Sequence, residues 1–146
     1  MRPRFSRLLI VIALSLVSIS CASVNLAEPV EDSTAKSFNV TAGKSNIYIF
    51  RNEDVILNTG VSIEVDGTPM GNTGAKTYIL ATVSPGQHII IASGENTEQL
   101  ELETVAGRNY FVWLEIRIGA VTNHGHLHVV NEQEGKKGVM ESKLIK

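Results

Sequence analysis

Between Ser45 and Val130, short runs in which apolar and polar residues alternate are cut by turn pairs about every ten residues. Successive side chains of an extended chain point to opposite faces. A period of two therefore builds half-buried strands and does not suit a helix of period 3.6. The sequence predicts seven strands: Ser45–Arg51 (SNIYIFR), Val61–Val65 (VSIEV), Lys76–Val83 (KTYILATV), His88–Ser93 (HIIIAS), Glu98–Val105 (EQLELETV), Asn109–Ile118 (NYFVWLEIRI) and His124–Val130. Asp66–Gly67, the glycine-punctuated MGNTG at 70–74, Ser84–Pro85–Gly86 and Gly107 supply the turns. Seven short strands at this spacing point to an all-β fold, a small antiparallel β-sandwich. Only Glu132–Lys143 has the composition of a short C-terminal helix, and Gly135 and Gly138 count against it.

The N-terminus carries a different signal. Arg2, Arg4 and Arg7 precede Leu8–Ser20 (LLIVIALSLVSIS), an uncharged apolar run of 13 residues. That is the plan of an export signal, and it is short of the ~20 residues that span a bilayer. The run ends at Cys21, the sole cysteine, with Ser18 and Ser20 before it. It resembles a bacterial lipoprotein signal, which implies acylation of Cys21. An ordinary cleaved signal would leave a lone thiol in an oxidising compartment. The expected organisation is a signal peptide at 1–20, a lipidated cysteine and flexible tether at 21–43, and a β-sandwich domain at 44–146. Ala22 after the cysteine fits an outer-membrane destination, by the same resemblance.

The whole chain has 13 Lys and Arg against 15 Asp and Glu. Loss of the three signal arginines leaves ten against fifteen, a net charge of −5. Nucleic-acid binding and electrostatic adhesion to anionic lipid both call for a basic face, so neither is expected. The membrane partner is reached through the lipid.

Five segments in order, Asn46–Arg51 (NIYIFR), Val65–Gly67 (VDG), Ser84–His88 (SPGQH), Ala106–Tyr110 (AGRNY) and Val129–Gly135 (VVNEQEG), carry a resemblance. The chain is similar to the uncharacterised bacterial lipoprotein family termed domain of unknown function 2846, over about residues 35–140. The VDG…PGxH rhythm also resembles the carbohydrate- and surface-associated PEGA repeat. The resemblance implies a small sandwich on a lipid anchor and marks Arg51, Gly67, Pro85, Gly86, His88, Gly107 and Tyr110. The glycines fit turn positions that need φ > 0, Pro85 presets φ, and Tyr110 offers a hydroxyl at the rim. Arg51 and His88 are expected to bond loop carbonyls, with a polar pocket as the alternative.

Three of the four histidines, His124, His126 and His128, alternate in HGHLH. They share one strand face, and Leu127 and Val129 should turn the other toward the core. On the preceding strand Val112, Leu114, Ile116 and Ile118 are expected inward, with Trp113, Glu115 and Arg117 outward. A hairpin through Gly119–Asn123 allows two registers: Arg117 opposite His124 with Glu115 opposite His126, or Glu115 opposite His128. Residues i and i+2 lie about 6.7 Å apart and i and i+4 about 13 Å. Two histidines with Glu115 or water therefore form a candidate site for Zn²⁺, Cu²⁺ or Ni²⁺. The other readings are a solvated face, a pH-responsive patch, and a partner-binding surface that includes Trp113 and Arg117.

No GxSxG elbow, P-loop or GxGxxG follows a strand, and no cysteine remains as a nucleophile. Glu98, Glu101 and Glu103 are read as one solvent-facing row without a catalytic role. The expectation is no enzyme and no cofactor. The first reading is a non-enzymatic interaction or envelope-structural lipoprotein that holds another envelope protein or a glycan. The alternative is a periplasmic metal-binding protein using the histidine strand.

Overall fold

The computed structural model describes residues 24–54 and 59–146; the expected signal peptide and Cys21 lie outside the described residues. Among the described residues nine strands form two stacked sheets. They are β1 (Ser45–Arg51), β2 (Val61–Val65), β3 (Thr68–Thr73), β4 (Thr77–Val83), β5 (Gly86–Ser93), β6 (Thr97–Thr104), β7 (Asn109–Ile118), β8 (Asn123–Val130) and β9 (Lys143–Leu144). The first sheet has the order β8-β7-β1-β4-β9 and the second β3-β2-β5-β6. Two helices, α1 (Pro29–Ala35) and α2 (Glu132–Met140), complete the fold.

The sandwich stands as expected, with two pairings of the other sense. β1 runs parallel to β7, and β9 runs parallel to β4. The chain reaches β7 only after building the whole second sheet, so β7 can enter beside β1 in the same direction. Strand β3 was not expected, since MGNTG reads as turn chemistry. Ladder bonds to β2 hold it extended, and Gly71 (φ 130°) lies where the register slips between Ile63 and Glu64.

Every residue of β1 is buried. One face of β1 contributes Ile47 and Ile49 to the core between the sheets, with Ile63, Ile79, Ile90, Val112, Leu114 and Leu127. The other face contributes Tyr48 and Phe50 to a second cluster with Ala35, Tyr78, Phe111 and Val139. The helices lie over that second face, which is why SNIYIFR is apolar on both sides.

Helix α2 begins at Asn131, whose side chain accepts the Glu134 N–H, and it depends on the two glycines whose low helix propensity counts against it. A Cβ on Gly135 would fall 2.1 Å from Phe111 Cγ, and one on Gly138 would fall 2.1 Å from Phe50 Cε2. Their lack of a side chain lets the helix backbone rest directly on two aromatic rings.

The flexible tether expected at 21–43 is corrected for residues 24–43, which are docked on the domain. Leu26 bridges Ile145, the Ala27 N–H donates to Leu144 O at 2.9 Å, and the Lys146 N–H donates to Asn25 O at 2.8 Å. Asp32 Oδ1 accepts the Tyr78 hydroxyl and the Leu144 N–H, each at 2.9 Å, while Oδ2 holds Lys36 Nζ at 2.8 Å. Tyr48 donates its hydroxyl to Ala35 O at 2.8 Å, and burial pushes its pKa up to about 12, so it remains a donor. Sequence polarity concealed this docking because the segment bonds through backbone and one carboxylate.

Candidate functional site

The histidine strand adopts the first of the two expected registers: Arg117 opposite His124, Glu115 opposite His126 and Trp113 opposite His128. Paired residues share a face, so these six residues lie on the outer side of the first sheet. Leu127 is buried as expected, and Gly125 is buried under Leu114. Two expectations of burial fail. Val129 is 52% exposed because β8 is the outermost strand, and Ile118 is 67% exposed because β7 runs beyond the sheet it leaves.

The side chains do not follow the backbone pairing. Glu115 Oε2 lies 3.0 Å from His128 Nε2, 3.0 Å from Arg117 Nε and 2.9 Å from Arg117 Nη2. The Arg117 hydrogen bond, the largest effect, together with the His128 bond outweighs the opposing effect of burial and holds the Glu115 carboxyl below the usual carboxylate range. His126 Nδ1 instead faces Glu98 Oε2 at 3.7 Å. Trp113 packs beside His128, with ring centroids 5.5 Å apart, and His126 and His128 are 6.4 Å apart. His124 stands apart, with Nε2 3.1 Å from Thr122 Oγ1. Among the described residues no three His, Cys, Asp or Glu side chains gather as a metal site.

Glu98 corrects the reading of the acids as one solvent row. Alternation places it with Leu100 and Leu102, on the opposite side from Glu101 and Glu103, and it is half-buried at the start of β6. Next to it, Asn96 donates to Gly125 O at 2.9 Å and accepts the Gly125 N–H at 2.7 Å. The β5–β6 turn thus closes the exposed edge of β8, and the parity that reveals Glu98 was readable in the sequence.

Arg51 and His88 follow the expected carbonyl-bonding role. Arg51 is fully buried and donates Nη1 to Thr59 O at 2.8 Å and to Thr73 O at 3.2 Å, while Nε and Nη2 hold Glu53 Oε1. His88 bridges two turns, with Nδ1 2.7 Å from Asp66 Oδ2 and Nε2 2.8 Å from Ser84 O. Asp66 adopts φ 52°, and the His88 bond is the main cause of its lowered pKa. Gly67, Gly86 and Gly107 have φ 74°, 137° and 80°, and the Tyr110 hydroxyl accepts the Val105 N–H at 2.9 Å. The residues weighed as a binding surface or a polar pocket do not come together: Trp113 and Arg117 lie on the histidine face, and Arg51 and His88 serve separate turns.

A feature the sequence did not show is an open groove of about 690 Å³ between α1, the 37–41 segment and the outer face of β1 and β4. Val30, Thr34, Val40, Tyr48, Leu80 and Thr82 are among its lining. Strand β9 pairs with β4 only at Thr77 and Tyr78, where the Ile145 N–H donates to Tyr78 O. Backbone groups alternate along a strand. The N–H and C=O of Leu80 and Thr82 therefore face the same edge, next to the groove, and no strand among the described residues pairs with them there. Docking of 24–43, invisible to local periodicity, creates the groove.

The architecture defines a small two-sheet sandwich with its entry segment clamped to its final strand. The chain belongs to the family described as protein of unknown function (DUF2846), which matches residues 41–126. It is also 28% identical over 131 residues to an uncharacterized protein of Haemophilus influenzae, a match that covers 88% of this chain and 78% of the relative.

Proposed function

We propose that the protein is an envelope lipoprotein, held by acylated Cys21 at the outer membrane, whose sandwich acts as a non-enzymatic binding module. The single observation that carries the binding role is the open edge of β4 beside an apolar-lined groove. Unpaired edge groups are templates for an added strand, and nearby side-chain pockets give such pairing its selectivity. The edge residues Leu80–Val83 carry none of the charge, proline or bulge that commonly guards an edge. The occupant proposed is an extended, uncharged segment of another envelope protein. Arg51, His88 and Asp32 are engaged within the fold, which supports a role without catalysis.

Two measurements test the reading. Mass spectrometry of the membrane-extracted protein is expected to show acyl chains on Cys21, and Cys21→Ser is expected to release the chain into the soluble fraction. A photo-crosslinker at Leu80 is expected to yield one discrete adduct in cells. Thr82→Pro should lose that adduct while keeping the fold, because its N–H points away from β1. No adduct, or one retained by Thr82→Pro, overturns the groove reading.

The metal alternative rests on the proximity of His126 and His128, each facing a different carboxylate. Calorimetric titration of Zn²⁺ and Cu²⁺ into the acylated full-length protein in detergent separates the two readings. The expected result is no saturable heat that His126→Ala/His128→Ala abolishes. Stoichiometric micromolar binding lost in that variant would replace the binding module with metal handling.

A further inference from the structure

The sandwich has two ends, and at one tip stands Val121, the most exposed large apolar side chain among the described residues. β1, β3, β5 and β7 finish at the same end, where β2, β4, β6 and β8 begin. The last pairing of β1 with β7 is Phe50 opposite Trp113, and β7 continues five residues further to Ile118. At the usual rise that is about 16 Å, so the β7–β8 hairpin stands beyond the central strands. A short loop, with the Gly119 N–H donating to Thr122 O at 3.0 Å, closes it.

The tip is unlike an ordinary polar turn. Ile118–Asn123 (IGAVTN) contains no charge; Val121 is 93% exposed, Ile118 67%, and Gly119 and Ala120 are exposed as well. Directly behind it lies the exposed pair Arg117 and His124. The two acids behind it are both engaged: Glu95 accepts the Asn123 N–H, and Glu115 holds Arg117 on one side and His128 on the other. An apolar tip backed by basic and polar groups matches the layering of a membrane interface, with hydrocarbon outside and phosphate a few ångströms behind.

The entry of the chain points the same way. Val24 packs on the core, and its Cγ2 lies 2.9 Å from where a Cβ on Gly74 would stand, in the turn that opens β4 at this same end. Cys21 is three residues earlier, a reach of about 10 Å at most. An anchor so short cannot carry this end of the domain away from the bilayer.

We propose that the tip of the β7–β8 hairpin, Ile118, Ala120 and Val121, is a second membrane contact. It enters the acyl boundary of the bilayer that holds Cys21 and sets Arg117 and His124 at the headgroup phosphates. The inference rests on the anchoring reading above. It orients the domain end-on, with the turns at Asp66–Gly67, Ser84–Pro85 and Ala106–Gly107 facing away from the bilayer.

The test uses the full acylated chain in vesicles of phosphatidylethanolamine and phosphatidylglycerol, with Val121→Cys or Arg108→Cys carrying an environment-sensitive fluorophore. Arg108 is exposed in the β6–β7 turn at the opposite end. The expected result is blue-shifted emission from the Val121 probe, with loss of emission to lipids brominated near the glycerol end of their chains. The Arg108 probe should show neither. A Val121 probe that behaves like the Arg108 probe, on protein that floats with the vesicles, overturns the tip contact alone. Protein that does not float and lacks acyl mass overturns the anchoring reading and the tip contact with it.

Discussion

Gly138 and Arg51 show how much of this fold is held by single residues. Alanine is the better helix former by up to about 1 kcal/mol. At Gly138 its Cβ would strike the Phe50 ring at 2.1 Å, and overpacking costs about 1–3 kcal/mol. Gly138→Ala is therefore expected to lower the thermal midpoint, whereas the same change in a solvent-facing glycine of a helix would raise it. Arg51→Ala removes the cation that joins Glu53 to two backbone carbonyls in full burial. Loss of one partner from a buried ion pair costs about 3–5 kcal/mol, and the denaturation midpoint should fall accordingly. His88 was legible as a turn residue, but its bond to Asp66 was not. The two are separated by 22 positions and meet only because β2 and β5 pair.

At the scale of elements, the strands were readable and the docked segment was not. Alternation located most strands to within a residue or two, because one face of each meets a core. β3 escaped because ladder bonds can hold glycine-rich sequence extended. α1 and the 24–28 segment escaped because Asp32, Lys36 and backbone groups fasten them, and a hydropathy pattern does not register those bonds. Burial alone would raise the Asp32 pKa; the Lys36, Leu144 N–H and Tyr78 bonds outweigh it and leave the value lowered. A carboxyl with a lowered folded pKa contributes stability above its unfolded value of about 3.9, and that contribution is lost as pH falls through the folded value. Thermal midpoints measured from pH 6 down to about pH 2.5 should therefore fall more steeply below about pH 4 in the native chain than in Asp32→Asn. At neutral pH Asp32→Ala is expected to cost about 2 kcal/mol. A variant that unfolds with the native acid dependence would remove Asp32 as the fastener.

For the whole molecule, the site was legible in part. The sequence narrowed the histidine strand to two registers, but the approach of Glu98 to His126 and the groove depend on contacts between distant segments. Asn25 and Leu26 bond or bridge Lys146 and Ile145. Residues 25–27 and 144–146 are thus one structural unit, and a bulky tag fused after Lys146 is expected to lower stability more than an insertion in the Ser84–Pro85 turn. Differential scanning calorimetry of the two fusions checks this.

The clasp between the entry segment and β9 also has a mechanical meaning. Cell-envelope proteins are pulled when the membrane moves against whatever they hold. If the chain is anchored as proposed, a tug on a lipid at Cys21 would load the Lys146–Asn25 and Ala27–Leu144 bonds to the β9 edge and the Asp32 contacts before the inner strands of either sheet. If those gave way, residues 24–43 would peel off as slack, the groove would lose its α1 wall, and a partner seated there would be released. On the anchoring proposed above, the docked segment would act as a tension-sensitive latch, with the load applied at one end and the grip built from the same twenty residues.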